Sequence, residues 1–144
     1  MKKIVSKVLL AGLLIAPSLG MASDEKADNL MVVVTSGDTL TQLMAGVLSL
    51  QAKKQGASVE MLFCGKAADI ITKGSKEIKL KPKGMSPQML VKNLIKKGAS
   101  VGVCPPYLPN ANKTKADLID GVKVVKPPKV ASRLLDEDTK ILSY

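Results

Sequence analysis

Two cysteines, Cys64 and Cys104, are the only thiol-bearing residues in 144, and there is no histidine to stand beside them. Without imidazole there is no Ser-His-Asp or Cys-His catalysis, no histidine metal site and no imidazole proton shuttle. Two cysteines alone are also too few ligands for a structural zinc site. Each cysteine ends an apolar run: "VEMLFC" reaches Cys64, and "SVGVC" reaches Cys104, which Pro105, Pro106 and Tyr107 follow. Three readings of this pair are open. The cysteines could form a structural disulfide, which requires Cα atoms within about 7 Å and closes a loop worth roughly 4 kcal/mol. Cys104 could be a reactive thiolate that carries sulfur or exchanges disulfides. Both could be inert, buried apolar groups. A weaker variant has the thiols binding a soft metal such as Cu(I) together with Met61. Met31, Met44 and Met61, however, fall in core elements and read as packing.

The prolines limit how Cys104 could be activated. A residue before proline is pushed out of the helical region. Cys104, Pro105 and Leu108 each precede one, so residues 104–108 are expected to be extended or irregular. That keeps a thiol accessible but supplies no helix N-terminus to lower its pKa. Lys113 and Lys115 are the nearest lysines downstream.

The surrounding elements have to bring these groups together. "LMVVVT", residues 30–35, is a β-branched apolar run suited to a strand buried on both faces. Ser36, Gly37 and Asp38 form a turn with a ready helix cap. Leu40, Leu43, Met44, Val47 and Leu48 then recur as one helical face, which Gly56 closes. Residues 59–64 form a second strand and 67–72 a short helix. Residues 73–85 form a lysine- and glycine-rich linker. Ser86 and Pro87 are a strong helix start, with Leu90, Val91, Leu94 and Ile95 as its buried stripe. Strands follow at 100–104, 122–125 and 140–144, with a helical turn within 110–118 and a helix over 129–136. Strands alternating with helices predict an α/β fold: a five-stranded, mainly parallel sheet with helices on both faces. Such sheets place their sites beyond the carboxyl ends of the strands. Both cysteines and the Ser36-Gly37-Asp38 turn lie on that edge. Ser36, Gly37, Asp38, Pro105 and Tyr107 are therefore candidate binding residues around the two sulfurs. The turn is too short to be a phosphate loop.

Composition sets the context. Aromatic residues make up 2% of the chain, so the core is aliphatic. The formal net charge is +10, but only one of the 22 basic residues, Arg133, is arginine. With few guanidinium forks and few rings for stacking, the charge reads as a lysine-rich surface, and no nucleic-acid partner is expected. The N-terminus has Lys2, Lys3 and Lys7, a short apolar run from Val8 to Ala16, Pro17, and small residues at Gly20 and Ala22. This is a secretory signal pattern over residues 1–22, too short to span a bilayer. No stable membrane insertion is expected after its removal. Removing its three lysines from the 22 basic residues leaves 19 against 12 acidic ones, about +7. Residues 23–29 are a polar lead-in, and residues 30–144 form one domain. An oxidising periplasmic or extracellular compartment favours paired or redox-active cysteines.

The segments "VEMLFCG", "LVKNLIKKGASVGVCPPYL", "ADLIDGVKVV" and "LLDEDTKILSY" together resemble the DsrE/DsrF-like family, in particular its exported single-domain members. The resemblance covers residues 30–144. It implies a three-layer α/β/α, flavodoxin-like domain, often assembled as trimers or hexamers; no cofactor or metal is expected. It also implies a persulfide-carrying cysteine after the third strand, the position of Cys104, served by a sulfur-donor or thiol-bearing protein. Such a protein is a sulfur carrier rather than a turnover enzyme. The exported branch often carries Cys-x-x-Cys at this loop. Here Tyr107 occupies the second position, so Cys64 becomes the candidate resolving or pairing partner. The alternative is a non-enzymatic binding or assembly module with a structural Cys64–Cys104 disulfide.

Overall fold

The computed structural model describes residues 28–144. The expected signal segment and residues 23–27 of the lead-in lie outside the described residues. The elements run β1 (Asn29–Val34), α1 (Thr39–Lys54), β2 (Ser58–Phe63), a 3-10 helix (Gly65–Ile71), α2 (Pro87–Lys96) and β3 (Ser100–Val103). After these come α3 (Tyr107–Asn110), a 3-10 turn (Lys115–Asp117), β4 (Val122–Val124), α4 (Pro127–Leu134) and β5 (Thr139–Ser143). The five strands form one sheet in the order β4-β3-β2-β1-β5, and every neighbouring pair is parallel. Asn29, expected in the lead-in, already belongs to β1.

Strand order and handedness decide which face each helix covers. From β1 through β2 and β3 to β4 the chain moves one way across the sheet, so right-handed crossovers put α1, α2 and α3 on one face. From β4 it returns past the whole sheet to β5, which puts α4 on the other face. Alternation along the strands matches this. Val32, Val34, Val59, Met61, Phe63, Val101 and Val103 form one buried cluster with Val91 and Leu94 of α2 and Ala45 of α1. Glu60 and Leu62 point the other way, toward α4. The lysine- and glycine-rich linker carries one antiparallel bridge, between Leu80 and Met85.

Helix α2 follows its sequence pattern. Ser86 accepts from the Met89 N–H at 3.1 Å, Pro87 opens the first turn, and Leu90, Val91 and Leu94 are buried. Helix α1 reverses the expectation. Its buried residues are Gln42, Ala45, Gly46 and Ser49. Leu40, Met44 and Leu48 of the predicted apolar face are 60%, 43% and 40% exposed. Met44 is therefore not a core residue, whereas Met31 and Met61 are. The cause is close approach to α2. A Cβ on Gly46 would lie 2.9 Å from the Leu90 Cβ, so only small side chains fit α1 where it meets Leu90. The large ones are turned outward.

Candidate functional site

The register of β2 and β3 builds the site. Phe63 is opposite Val103, so the next residue on each strand is a cysteine beside a cysteine. The backbone still holds both: the Cys64 N–H donates to the Val34 carbonyl and the Cys104 N–H to the Phe63 carbonyl, each at 3.0 Å. The Cα atoms are 5.2 Å apart, and Cys64 and Cys104 are joined by a disulfide. That separation is within the normal range for such a bond. Both cysteines are half-buried, and no described cysteine is free.

Beyond Cys104 the backbone departs from the expected extended path. Pro106 is in the right-handed helical region (φ −66°, ψ −19°) and heads the single turn α3, which includes Leu108 despite the proline after it. Only Cys104 and Pro105 lie outside the turn and its cap, and the Tyr107 N–H returns to the Cys104 carbonyl at 3.1 Å. This turn buries Tyr107 and Leu108 at the sheet edge. The Tyr107 hydroxyl donates to Asp69 Oδ1 at 2.8 Å. Burial, and then the hydrogen bond and negative charge of Asp69, push the phenol pKa well above its usual value, so Tyr107 is a neutral donor that fixes the loop.

The disulfide lies in a cleft of about 860 Å³ on the α4 side of the sheet. Leu62, Pro105, Tyr107, Val125, Val130 and Leu134 make its walls apolar. Gly102 permits the shape, because any side chain there would collide with Val125, which lies across β3. Helix α4 forms the far wall. It has no buried residue, and Arg133 ties it to the sheet through Glu60 at 2.7 Å while also bonding Asp136 at 2.9 Å. Lys66 is the one cation and Asp69 the one anion among the lining residues. Lys113 and Lys115 do not line the cleft, so the lysine next to the sulfurs is Lys66. Sequence patterning did not single out Lys66, Asp69, Val130 or Leu134, because their importance comes only from where the strands and α4 place them.

Ser36, Gly37 and Asp38 occupy the same sheet edge but do not line the cystine cleft. Gly37 lines a smaller pocket of about 280 Å³ with Gln42 and Gln88, which shares Lys66 and Asp69 as a common wall. Asp38 caps α1, accepting from the Thr41 N–H at 2.8 Å and the Thr41 hydroxyl at 2.7 Å. These bonds hold its pKa below the usual carboxylate value. Ser36 accepts from the Asp38 N–H at 3.1 Å, and its carbonyl accepts from Gln42 Nε2 at 2.8 Å. Met61 is buried on the α1–α2 face, away from the sulfurs, which removes the combined cysteine–methionine metal site. Among the described residues, no cluster of three or more His, Cys, Asp or Glu could hold a metal ion. No described helix is long and apolar enough to cross a membrane.

No protein-family model and no curated protein sequence matches the chain. Solved structures do match it. The ychN protein from E. coli superposes with a TM-score of 0.69 at 16% identity, covering 81% of this chain and 99% of that one. A protein of unknown function, MTH1491, from Methanobacterium thermoautotrophicum matches with a TM-score of 0.62 at 17% identity, over 81% of this chain and 98% of that one. A conserved protein of unknown function, BT1422, from Bacteroides thetaiotaomicron gives 0.60 at 17% identity, over 81% and 95%. At these identities the similarity concerns architecture. The chain has the three-layer α/β fold, with a five-stranded parallel sheet, that it shares with ychN.

Proposed function

We propose that this is an extracytoplasmic thiol-handling protein whose Cys64–Cys104 pair cycles between cystine and dithiol, with Cys104 as the sulfur-accepting residue. The observation that carries the reading is a cystine of two half-buried cysteines at the carboxyl edge of adjacent parallel strands, open to an apolar cleft. Likeness of fold to ychN and the sequence resemblance to sulfur-relay proteins support it. A cystine and a signal-like N-terminus support export. In the reduced pair, the Cys104 thiolate attacks the outer sulfur of a donor persulfide, RSSH. The donor's S–S bond breaks, RS⁻ leaves, and Cys104 becomes a persulfide. An acceptor thiolate can take that outer sulfur and regenerate the Cys104 thiolate. Otherwise the Cys64 thiolate attacks the inner sulfur, which closes the cystine and releases hydrosulfide.

Intact mass spectrometry after reduction and treatment with a persulfide donor tests this. Cys64→Ala is expected to accumulate one added sulfur, while the wild type releases sulfide and returns to the cystine. Cys104→Ala is expected to take up none. Equal labelling of both variants, or of neither, overturns the assignment. A purely structural cystine is the second reading, favoured by the separation of 40 residues that the bridge closes. It predicts that reduction costs about 4 kcal/mol of stability and that native protein never exposes a reducible bond.

Self-association, by the same reasoning, is assigned to α1. Its outward Leu40, Met44 and Leu48 form an apolar stripe of the kind that marks protein contacts. Met44→Asp with Leu48→Asp is expected to convert a trimer or hexamer to a smaller species in light scattering. An unchanged mass would place the contact elsewhere.

A further inference from the structure

Resting on the thiol-handling reading, we propose that the cleft selects its reaction partner. Its substrate is a low-molecular-weight thiol or persulfide with an apolar body and an anionic end, bound between α4 and α3 so that its sulfur meets the cystine. The cleft volume, about 860 Å³, falls in the range of small-ligand pockets, roughly 300–1,000 Å³. It is concave and walled by Leu62, Pro105, Val125, Val130 and Leu134, unlike the open, convex stripe on α1. A polar thiol would leave these walls wet, whereas an alkyl chain would release that water. The anionic end is matched to Lys66, the one cation that lines the cleft. The Asp69 carboxylate is already engaged by the Tyr107 hydroxyl. Lys66 is exposed, and among the described residues no ion pair engages it. The chain as a whole is strongly basic and draws anions toward it.

The reaction balances without another component. The substrate thiolate attacks Cys104 Sγ, forming a mixed disulfide, and the Cys64 sulfur leaves with the electron pair and takes a proton from water. A second thiolate releases the oxidised substrate and leaves the dithiol.

The test compares three thiols on the folded, oxidised protein below their micelle concentrations: mercaptoethanol, mercaptooctanoate and aminooctanethiol. Rates are corrected for thiolate fraction. Mercaptooctanoate is expected to reduce the cystine about tenfold or more faster than mercaptoethanol, with aminooctanethiol behind it. Leu134→Asp is expected to bring the mercaptooctanoate-to-mercaptoethanol ratio toward one. Lys66→Glu is expected to invert the order of the anionic and cationic thiols. Rates that follow thiolate fraction alone, or a faster cationic thiol, overturn the inference and leave thiol handling intact. A cystine inert to all three in the folded protein overturns thiol handling itself. Octanoate, which has no sulfur, then reads the cleft separately by methyl chemical shifts. Saturable shifts at Val125, Val130 and Leu134 that Leu134→Asp abolishes support the binding preference, and their absence overturns it.

Discussion

The two faces of the sheet are built on different terms. On one, α1 and α2 seal Val32, Val34, Phe63, Val101 and Val103 into a continuous core. On the other, the eight-residue α4 is the only helix among the described residues, and it contributes no buried residue. The first face holds the fold together. The second leaves apolar surface open beside the cystine, and that opening is where chemistry has room. A site needs a rigid floor and a wall that can give. Here the floor is β2 and β3, fixed from behind by the core, and the wall is α4, held by Arg133 to Glu60.

The largest expected difference between the faces comes from matched leucines. Leu94 on α2 is fully buried, whereas Leu134 on α4 is 42% exposed. Leu94→Ala is expected to cost about 2–5 kcal/mol in urea unfolding. Leu134→Ala should stay within about 0.5 kcal/mol. Similar losses at both positions would mean that α4 is as integral as α2, and the contrast would fail.

A smaller effect separates helix propensity from packing. In most helices Gly→Ala gains about 1 kcal/mol. At Gly46 the new Cβ would meet Leu90 Cβ at 2.9 Å and Cδ1 at 3.0 Å. Overpacking of this kind costs about 1–3 kcal/mol, so Gly46→Ala is expected to be net destabilising. A stabilised Gly46→Ala would show that α1 can move off α2 at little cost. Ser132→Ala on the exposed side of α4 has no such obstacle and should be neutral or slightly stabilising.

The same contrast explains what could be read in advance. Five strands in order, the Ser86 cap and the place of both cysteines on the carboxyl edge follow from apolar runs, turn residues and the logic of a parallel sheet, whereas their adjacency follows only from the pairing of β2 with β3. The direction of α1 does not. Periodicity identifies an apolar stripe, but whether it faces the core depends on how near the neighbouring helix comes. Here Ala45, Gly46 and Ser49 win the inward face because they are small. The helical turn at Tyr107 was hidden for a related reason. Local proline statistics disfavour it, but burial of Tyr107 and Leu108 and the bond to Asp69 override them. The cleft could not be read at all, since its walls come from Leu62, Val125 and Leu134, which are far apart in sequence.

Acid titration should distinguish the faces most finely. Asp38 caps α1, and its pKa is lowered first by the Thr41 hydroxyl and then by the Thr41 backbone N–H. Asp136 sits at the end of α4, and its pKa is lowered first by the Asp138 N–H and also by Arg133. Each carboxylate is more acidic folded than unfolded. Its stabilisation is therefore complete above the unfolded value, about 3.9, and is lost as pH falls through the lower folded value. Neither should contribute any pH dependence near neutrality. Below the unfolded value, protonating Asp38 frays the helix that seals the core, so Asp38→Asn should flatten the acid limb of global unfolding measured by denaturant midpoint. Protonating Asp136 removes one of the two carboxylates on Arg133 and loosens only α4. Asp136→Asn should leave that global limb nearly unchanged while raising amide exchange in residues 129–134 already at neutral pH. An equal effect of both substitutions on the global limb would mean that α4 unfolds together with the core, and that the cleft has no independently movable wall.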